Sequence, residues 1–132
     1  MGVFAVLAAA VATFVFGAIY YMVLSKPWMA ASGVPVGDDG NPVNSSSPLP
    51  YIVSLVMILL VAGMMRHTFA LSGIDTVGKG LVSGLGIGAF FITPWIFVNV
   101  GYSARPWALA LIDGGYATLG CGIMGTVLLL MA

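Results

Sequence analysis

The sequence predicts an all-α integral membrane protein: an antiparallel bundle of four transmembrane helices in a single domain spanning 1–132. Three observations predict it. Only eight of the 132 residues carry a formal charge, none of them glutamate, while 61% are hydrophobic. A soluble domain carries about 25% charged residues to cover its surface. The apolar residues fall into four runs, each long enough to cross about 30 Å of hydrocarbon at about 1.5 Å per residue. No run alternates apolar and polar residues over about 10 positions, as the strands of a membrane barrel must. Backbone polar groups in lipid have to be satisfied internally, so helices are what remains. The balanced, sparse charge also excludes a basic nucleic-acid-binding surface, and the apolar composition excludes a disordered chain.

The first span is expected over 2–24. It has no Lys or Arg before it and is longer than the apolar region of a secretory leader, so a retained helix is expected. A polar loop is expected over 25–48. Gly33-Val34-Pro35-Val36-Gly37-Asp38-Asp39-Gly40-Asn41-Pro42 is turn chemistry throughout. Asp38-Asp39-Gly40-Asn41 lacks the ligand series and terminal glutamate of a calcium loop, so a solvated turn is expected. A serine of Ser45-Ser46-Ser47 is placed to cap the second helix, expected over 49–70. Arg66 and His67 close that helix, a short connection holds Asp75, and Lys79 opens the third span, expected over 79–101. Pro94 should kink this span or free its carbonyls. The fourth is expected over 106–131 and contains Cys121, the only cysteine, which makes no intrachain disulfide. Short connections make neighbouring helices antiparallel.

Small residues recur at four-residue spacing: Ala5, Ala9, Thr13, Gly17 in the first span, Gly80, Gly84, Gly88 in the third, and Gly114, Thr118, Gly122, Thr126 in the fourth. Such stripes let helix backbones approach closely in lipid, within one chain or between copies. Trp28 and Trp107 fall where helix ends meet headgroups and are expected to anchor there. Lys26 and Arg105 on one side balance Arg66 and Lys79 on the other, so the positive-inside rule gives no orientation. The free amino terminus and the acidic first loop tilt the expectation towards cytoplasmic termini.

Asp113 is the one charge that must lie at membrane depth, about seven residues or roughly 10 Å into the fourth helix. Facing lipid it would cost a few kcal/mol, so it should face the bundle and find a partner. Arg105 lies roughly on the same face two turns earlier, and Tyr116 at i+3. Asn99, Tyr20 and Tyr21 are the other expected members. Two roles are open: an interhelical lock, or a proton or ligand site. His67 at a helix end reads as an interfacial side chain rather than a haem ligand. No nucleophile–base grouping is apparent. Gly84-Leu85-Gly86-Ile87-Gly88 lacks the strand–turn–helix context of a dinucleotide site. No catalytic, cofactor-binding or metal-binding residue is expected.

Phe16-Gly17-Ala18-Ile19-Tyr20-Tyr21, Lys26-Pro27-Trp28-Met29, Arg105-Pro106-Trp107-Ala108-Leu109 and Leu111-Ile112-Asp113-Gly114-Gly115-Tyr116 together carry a resemblance. The chain resembles, over nearly its whole length, the bacterial family of small four-span membrane proteins called domain of unknown function 1761. The resemblance implies the architecture and suggests that Arg105, Asp113 and Tyr116 belong together. Family members often carry a histidine after that tyrosine, where this chain has Ala117. The family name implies no activity.

The expectation is therefore a non-enzymatic component of the bacterial inner membrane. It would contact membrane lipids and act by association, as a homo-oligomer or an accessory subunit of a larger membrane complex. The alternative is a small proton- or cation-coupled transporter or channel-like protein that uses Asp113.

Overall fold

The computed structural model describes residues 2–132. It contains α1 (Val3–Val23), α2 (Ser25–Ser32), α3 (Leu49–Leu71), α4 (Val77–Ile87), α5 (Thr93–Tyr102) and α6 (Trp107–Leu130). A wide turn, Gly88–Ile92, joins α4 to α5, so Val77–Tyr102 forms one span. Four helices are long and apolar enough to cross a membrane: α1, α3, the α4–α5 unit and α6. Their bounds lie within two residues of the expected ones. The third span starts earlier because Thr76 caps it, its side chain accepting a hydrogen bond from the Lys79 amide. Ser47 Oγ accepts from the Leu49 amide at 3.3 Å, placing a serine at the start of α3.

One expectation fails in the polar stretch 25–48, whose first third is helical rather than loop. Pro27 has no N–H to give the Val23 carbonyl, so the first helix breaks at Leu24 rather than running on. Beyond it, Trp28-Met29-Ala30-Ala31 carries no turn residue and winds until Gly33. There the chain turns left-handed at φ 69°, and the Gly33 amide bonds the Met29 carbonyl.

α6 is the hub. α1 packs along one side of it and α4, the wide turn and α5 along the other, while α3 packs chiefly on α1. At three glycines the α4–α6 seam brings backbone against backbone. A Cβ on Gly84 or Gly88 would overlap the carbonyl of Cys121 or Ala117, and one on Gly80 would sit 2.7 Å from the Gly125 carbonyl. The small-residue stripe of the third span is thus occupied within the chain. The stripe of α1 is buried too, at Ala5, Ala9, Thr13 and Gly17.

The apolar core lies towards the end of the bundle that carries Asp75. Ala5 and Ala9 meet Met65 and Phe69 of α3 and Met124 and Leu128 of α6 there. The buried residues of α3, Ala62, Met65 and Phe69, all lie in its second half, and Ile52, Val56 and Leu60 in its first half are exposed.

Pro94 shapes the third span as expected. Its missing N–H leaves the carbonyl four residues back without a helical donor, and the preceding turn widens. Thr93 fastens this turn: its hydroxyl lies 2.7 Å from the Gly88 carbonyl and 3.2 Å from the Gly114 carbonyl of α6.

Candidate functional site

The polar side chains at membrane depth gather at the opposite end, nearer Arg105. They sit where the last turns of α1 run antiparallel to the first turns of α6. Each step of four back along α6 meets a step forward along α1: Gly120 beside Thr13, Tyr116 over Gly17, Ile112 beside Tyr20. This register puts Tyr21 opposite Asp113, and the Tyr21 hydroxyl donates to Asp113 Oδ1 at 2.7 Å. The neighbouring Tyr20 hydroxyl donates to the Ile112 carbonyl at 2.6 Å. The Tyr116 hydroxyl lies 3.5 Å from the Thr13 carbonyl, the outer limit of a hydrogen bond.

The three tyrosines form one aromatic cluster. Ring centroids are 5.2 Å apart for Tyr20–Tyr21, 5.3 Å for Tyr21–Tyr116 and 5.9 Å for Tyr20–Tyr116. Phe16 stacks on Tyr116 at 6.0 Å. Edge-to-face and tilted pairs at these separations are favourable. Gly17 makes room for the cluster, because a Cβ there would lie 2.8 Å from the Tyr116 ring and hydroxyl.

α2 closes the site. Trp28 meets Tyr21 edge-on at 6.0 Å, with its indole on the side of the Asp113 carboxylate. Trp28 is half-buried in this contact, whereas Trp107, the other expected anchor, is 59% exposed and stacks on Phe97. Three elements therefore meet here: α6 through Asp113, α1 through Tyr21, and α2 through Trp28, which packs on Tyr21.

Two residues expected at this site lie elsewhere. Arg105 is exposed, and its guanidinium rests over Gly33, where a Cβ would collide with it. A cation at a helix C-terminus is favourable, and α2 ends at that glycine. Eight residues also carry Arg105 about 12 Å along the axis from Asp113, and Trp28 takes the position beside the carboxylate. Lys79 and Asp75 form an exposed ion pair, 3.2 Å apart, at the other end of the bundle. Asn99 is exposed on α5, with its backbone carbonyl accepting from Ser103 Oγ at 2.7 Å. Its element meets α6 through Thr93, so the site is built by α1 and α2 instead. Trp28 is the member that sequence reasoning did not place here. Its signal was Pro27 followed by helix formers and a glycine stop.

Outside the spans, the turn at Asp38–Asn41 is locally organised. Asp39 Oδ1 accepts from the Asn41 amide at 3.0 Å. That bond, with a second from the Asn41 side chain, holds the Asp39 carboxyl below its ordinary range. His67 is exposed near the end of α3.

The chemistry available at Asp113 is that of a carboxylate held by one phenol donor. Tyr21 fixes its orientation, and it can hold a proton. Among the described residues no group of three or more His, Cys, Asp or Glu side chains is arranged to hold a metal ion.

A family model described as a protein of unknown function (DUF1761) matches residues 4–129. No curated protein and no solved structure matches the chain. The matched segment takes in all four spans, α2 and the whole Asp113 site, and the chain belongs to the DUF1761 family.

Proposed function

We propose that the chain is a non-enzymatic membrane component that acts by association, as a homo-oligomer or as an accessory subunit of a larger membrane complex. The observation that carries this reading is the use made of Asp113. Its carboxylate takes the Tyr21 hydroxyl at 2.7 Å, an arrangement that fixes α1 against α6, and Trp28 of α2 packs edge-on against the same tyrosine. Interhelical hydrogen bonds of this kind are how membrane bundles are pinned. With the polar groups facing inward, the chain turns large apolar faces outward, among them Ile52, Val56 and Leu60 on α3 and Phe90, Phe91 and Trp95 around the wide turn. We read the membrane as a bacterial inner membrane with cytoplasmic termini.

Mass measurement of the full chain, extracted in mild detergent with its native lipids, tests the reading. A particle heavier than one chain, or a stoichiometric partner, is expected. A strictly monomeric particle with no co-purifying protein would overturn it.

A second reading rests on the same carboxylate. An ionisable group at membrane depth is suited to carry a proton or cation, and Asp113 stands beside three phenols. Proton-coupled uptake or resistance that is abolished in Asp113→Asn, in protein that still folds, would favour this reading.

A further inference from the structure

Asp113 is unevenly placed between the two faces of the membrane. It lies six residues, about 9 Å, from the start of α6 near Arg105, and seventeen residues, about 26 Å, from the end of α6 near Asp75. What separates it from water differs in kind on the two sides.

Towards the Asp75 end the packing is dry. Gly17 receives the Tyr116 ring, and one turn further the buried Thr13 faces Gly120. The Thr13 hydroxyl donates to the Ala9 carbonyl of its own helix at 2.8 Å, so its proton is already committed. The next hydroxyl along α6, that of Thr126, likewise donates within its helix, to the Gly122 carbonyl at 2.8 Å. From Thr13 to the start of α1 is about 15 Å, filled by Ala5, Ala9, Met124, Leu128 and Phe69, each no more than 1% exposed. On the other side of α6, Gly80, Gly84 and Gly88 bring backbone against backbone. A proton moves between groups within hydrogen-bond reach, directly or through one water, and a buried water needs polar partners. Among the described residues the seam beyond Tyr116 supplies no continuous set of such steps.

Towards Arg105 the cover is α2, eight residues long. Asp113 and Tyr21 are half-buried beneath it rather than sealed. Pro27 leaves the Val23 carbonyl, two residues from Tyr21, without its helical donor, and a freed backbone acceptor needs water or another donor. Ser25 and Ser32, both half-buried, put hydroxyls on the same element. Both ends of α2 are breaks in the helix, at Leu24 and at the left-handed Gly33.

We propose that Asp113 exchanges its proton with water on the Arg105 side alone, past α2, and has no proton path to the Asp75 side. The Tyr21–Asp113 contact then responds to the acidity of one compartment only. The titratable side chains around Asp113 are phenols: Tyr20 and Tyr21 of α1 and Tyr116 of α6. On the neighbouring elements Lys26 and Tyr102 are exposed, Arg105 lies over Gly33, and Tyr51 of α3 bonds the Ser45 carbonyl. Arg66, His67 and Lys79 belong to the opposite end of the bundle. The inference rests on Asp113 taking up a proton, the property the second reading uses, and holds whether or not that proton goes on across.

The full chain in sealed phosphatidylcholine vesicles, with inside and outside pH set separately, tests the proposal. The chain has no glutamate, so Asp38→Asn, Asp39→Asn and Asp75→Asn together leave Asp113 the only side-chain carboxyl. All three changes fall at exposed positions outside the spans. With isotope-labelled aspartate, the protonated form of Asp113 is read from its shifted infrared carbonyl band. Cleavage within 33–48 by added protease gives the share of chains with the Arg105 side outwards. The band is expected to rise when the Arg105 side is acidified and to stay flat when the Asp75 side is. Trp28→Ala, which thins the cover, should speed the rise, and Thr13→Val, which removes the buried hydroxyl, should leave it unchanged. A band that follows the Asp75 side, or both sides, overturns the proposal. So does a rise unaltered by Trp28→Ala, or one lost in Thr13→Val protein of unchanged helix content. A band that answers to neither side overturns it together with the proton-carrier reading, whereas the association reading is decided separately by the mass measurement.

Discussion

Two glycines only two residues apart in α4 should respond to the same substitution with opposite signs. At Gly84, an alanine Cβ would overlap the Cys121 carbonyl oxygen and lie 3.0 Å from its carbon and 3.2 Å from Gly122 Cα. All of these are backbone atoms of α6, so no rotamer change relieves the contact and the two helices must part. Overpacking of this kind costs about 1–3 kcal/mol, offset by the roughly 0.5–1 kcal/mol gained when alanine replaces glycine within a helix. At the middle of both ranges Gly84→Ala should therefore lose about 1 kcal/mol. A Cβ on Gly86 meets nothing within 4 Å, so Gly86→Ala should gain about 0.5–1 kcal/mol. The protein carries its own reporter beside Gly84. Cys121 is the only cysteine and is 4% exposed. Its alkylation by a maleimide follows the fraction of molecules whose seam has opened. The two variants should differ by the overpacking cost alone, about 1–3 kcal/mol, or roughly 5- to 140-fold in labelling rate. Labelling of Gly84→Ala at the wild-type rate, or equal acceleration in Gly86→Ala, would refute the assignment of the seam.

Four further outcomes are expected. Tyr21→Phe removes the donor to Asp113 and should lower stability by about 1 kcal/mol, read by denaturant titration in micelles; an unchanged midpoint would count against the lock. Gly33→Ala places a side chain at φ 69° and displaces the Arg105 guanidinium. It should cost about 1–2 kcal/mol and raise hydrogen exchange across 25–32 while leaving α4 protected. Ala104 holds φ 55°, the only left-handed residue other than glycine among those described. Ala104→Gly should therefore stabilise the α5–α6 connection, raising the unfolding midpoint by the equivalent of about 1 kcal/mol. Asp39 is held below its ordinary range by Asn41. Its bonds favour the folded turn above the unfolded carboxylate pKa, and that contribution is lost as pH falls through the lowered folded value. The Asn41 amide NMR resonance should shift with an inflection below the ordinary aspartate range; a midpoint at or above that range would remove the bond.

The placement of the charges shows where sequence reading stops. Asp113 was singled out because a carboxylate within an apolar run must face protein, a constraint set by solvation cost alone. Tyr21 reaches it, Tyr20 reaches the Ile112 carbonyl beside it, and Tyr116 packs against both rings with its hydroxyl towards the Thr13 carbonyl. Arg105 and Asn99 were drawn to the same site by helical spacing or depth, which fixes a position along a helix but not which neighbour lies against it. α1 lies against that face of α6, so Tyr21 reaches the carboxylate. α2 ends below Arg105, so the guanidinium settles over Gly33. The Trp28 contact was hidden because Pro27 and the many turn residues after it made the whole stretch read as loop.

The amino-acid sequence by itself determined the solvent and the elements. Eight charges and four long apolar runs leave helices across a membrane as the answer, and their lengths follow from the bilayer thickness. Only the tertiary structure decided which helix is the hub, which glycines meet backbone, and which partner Asp113 takes. Those choices depend on how side chains of different size interlock across helix pairs. In lipid, apolar residues have nearly the same affinity for hydrocarbon as for one another. Hydrophobicity therefore inserts the helices without arranging them, and the arrangement comes from close approach at Gly80, Gly84 and Gly88 and from the bonds made by Tyr20, Tyr21 and Thr93.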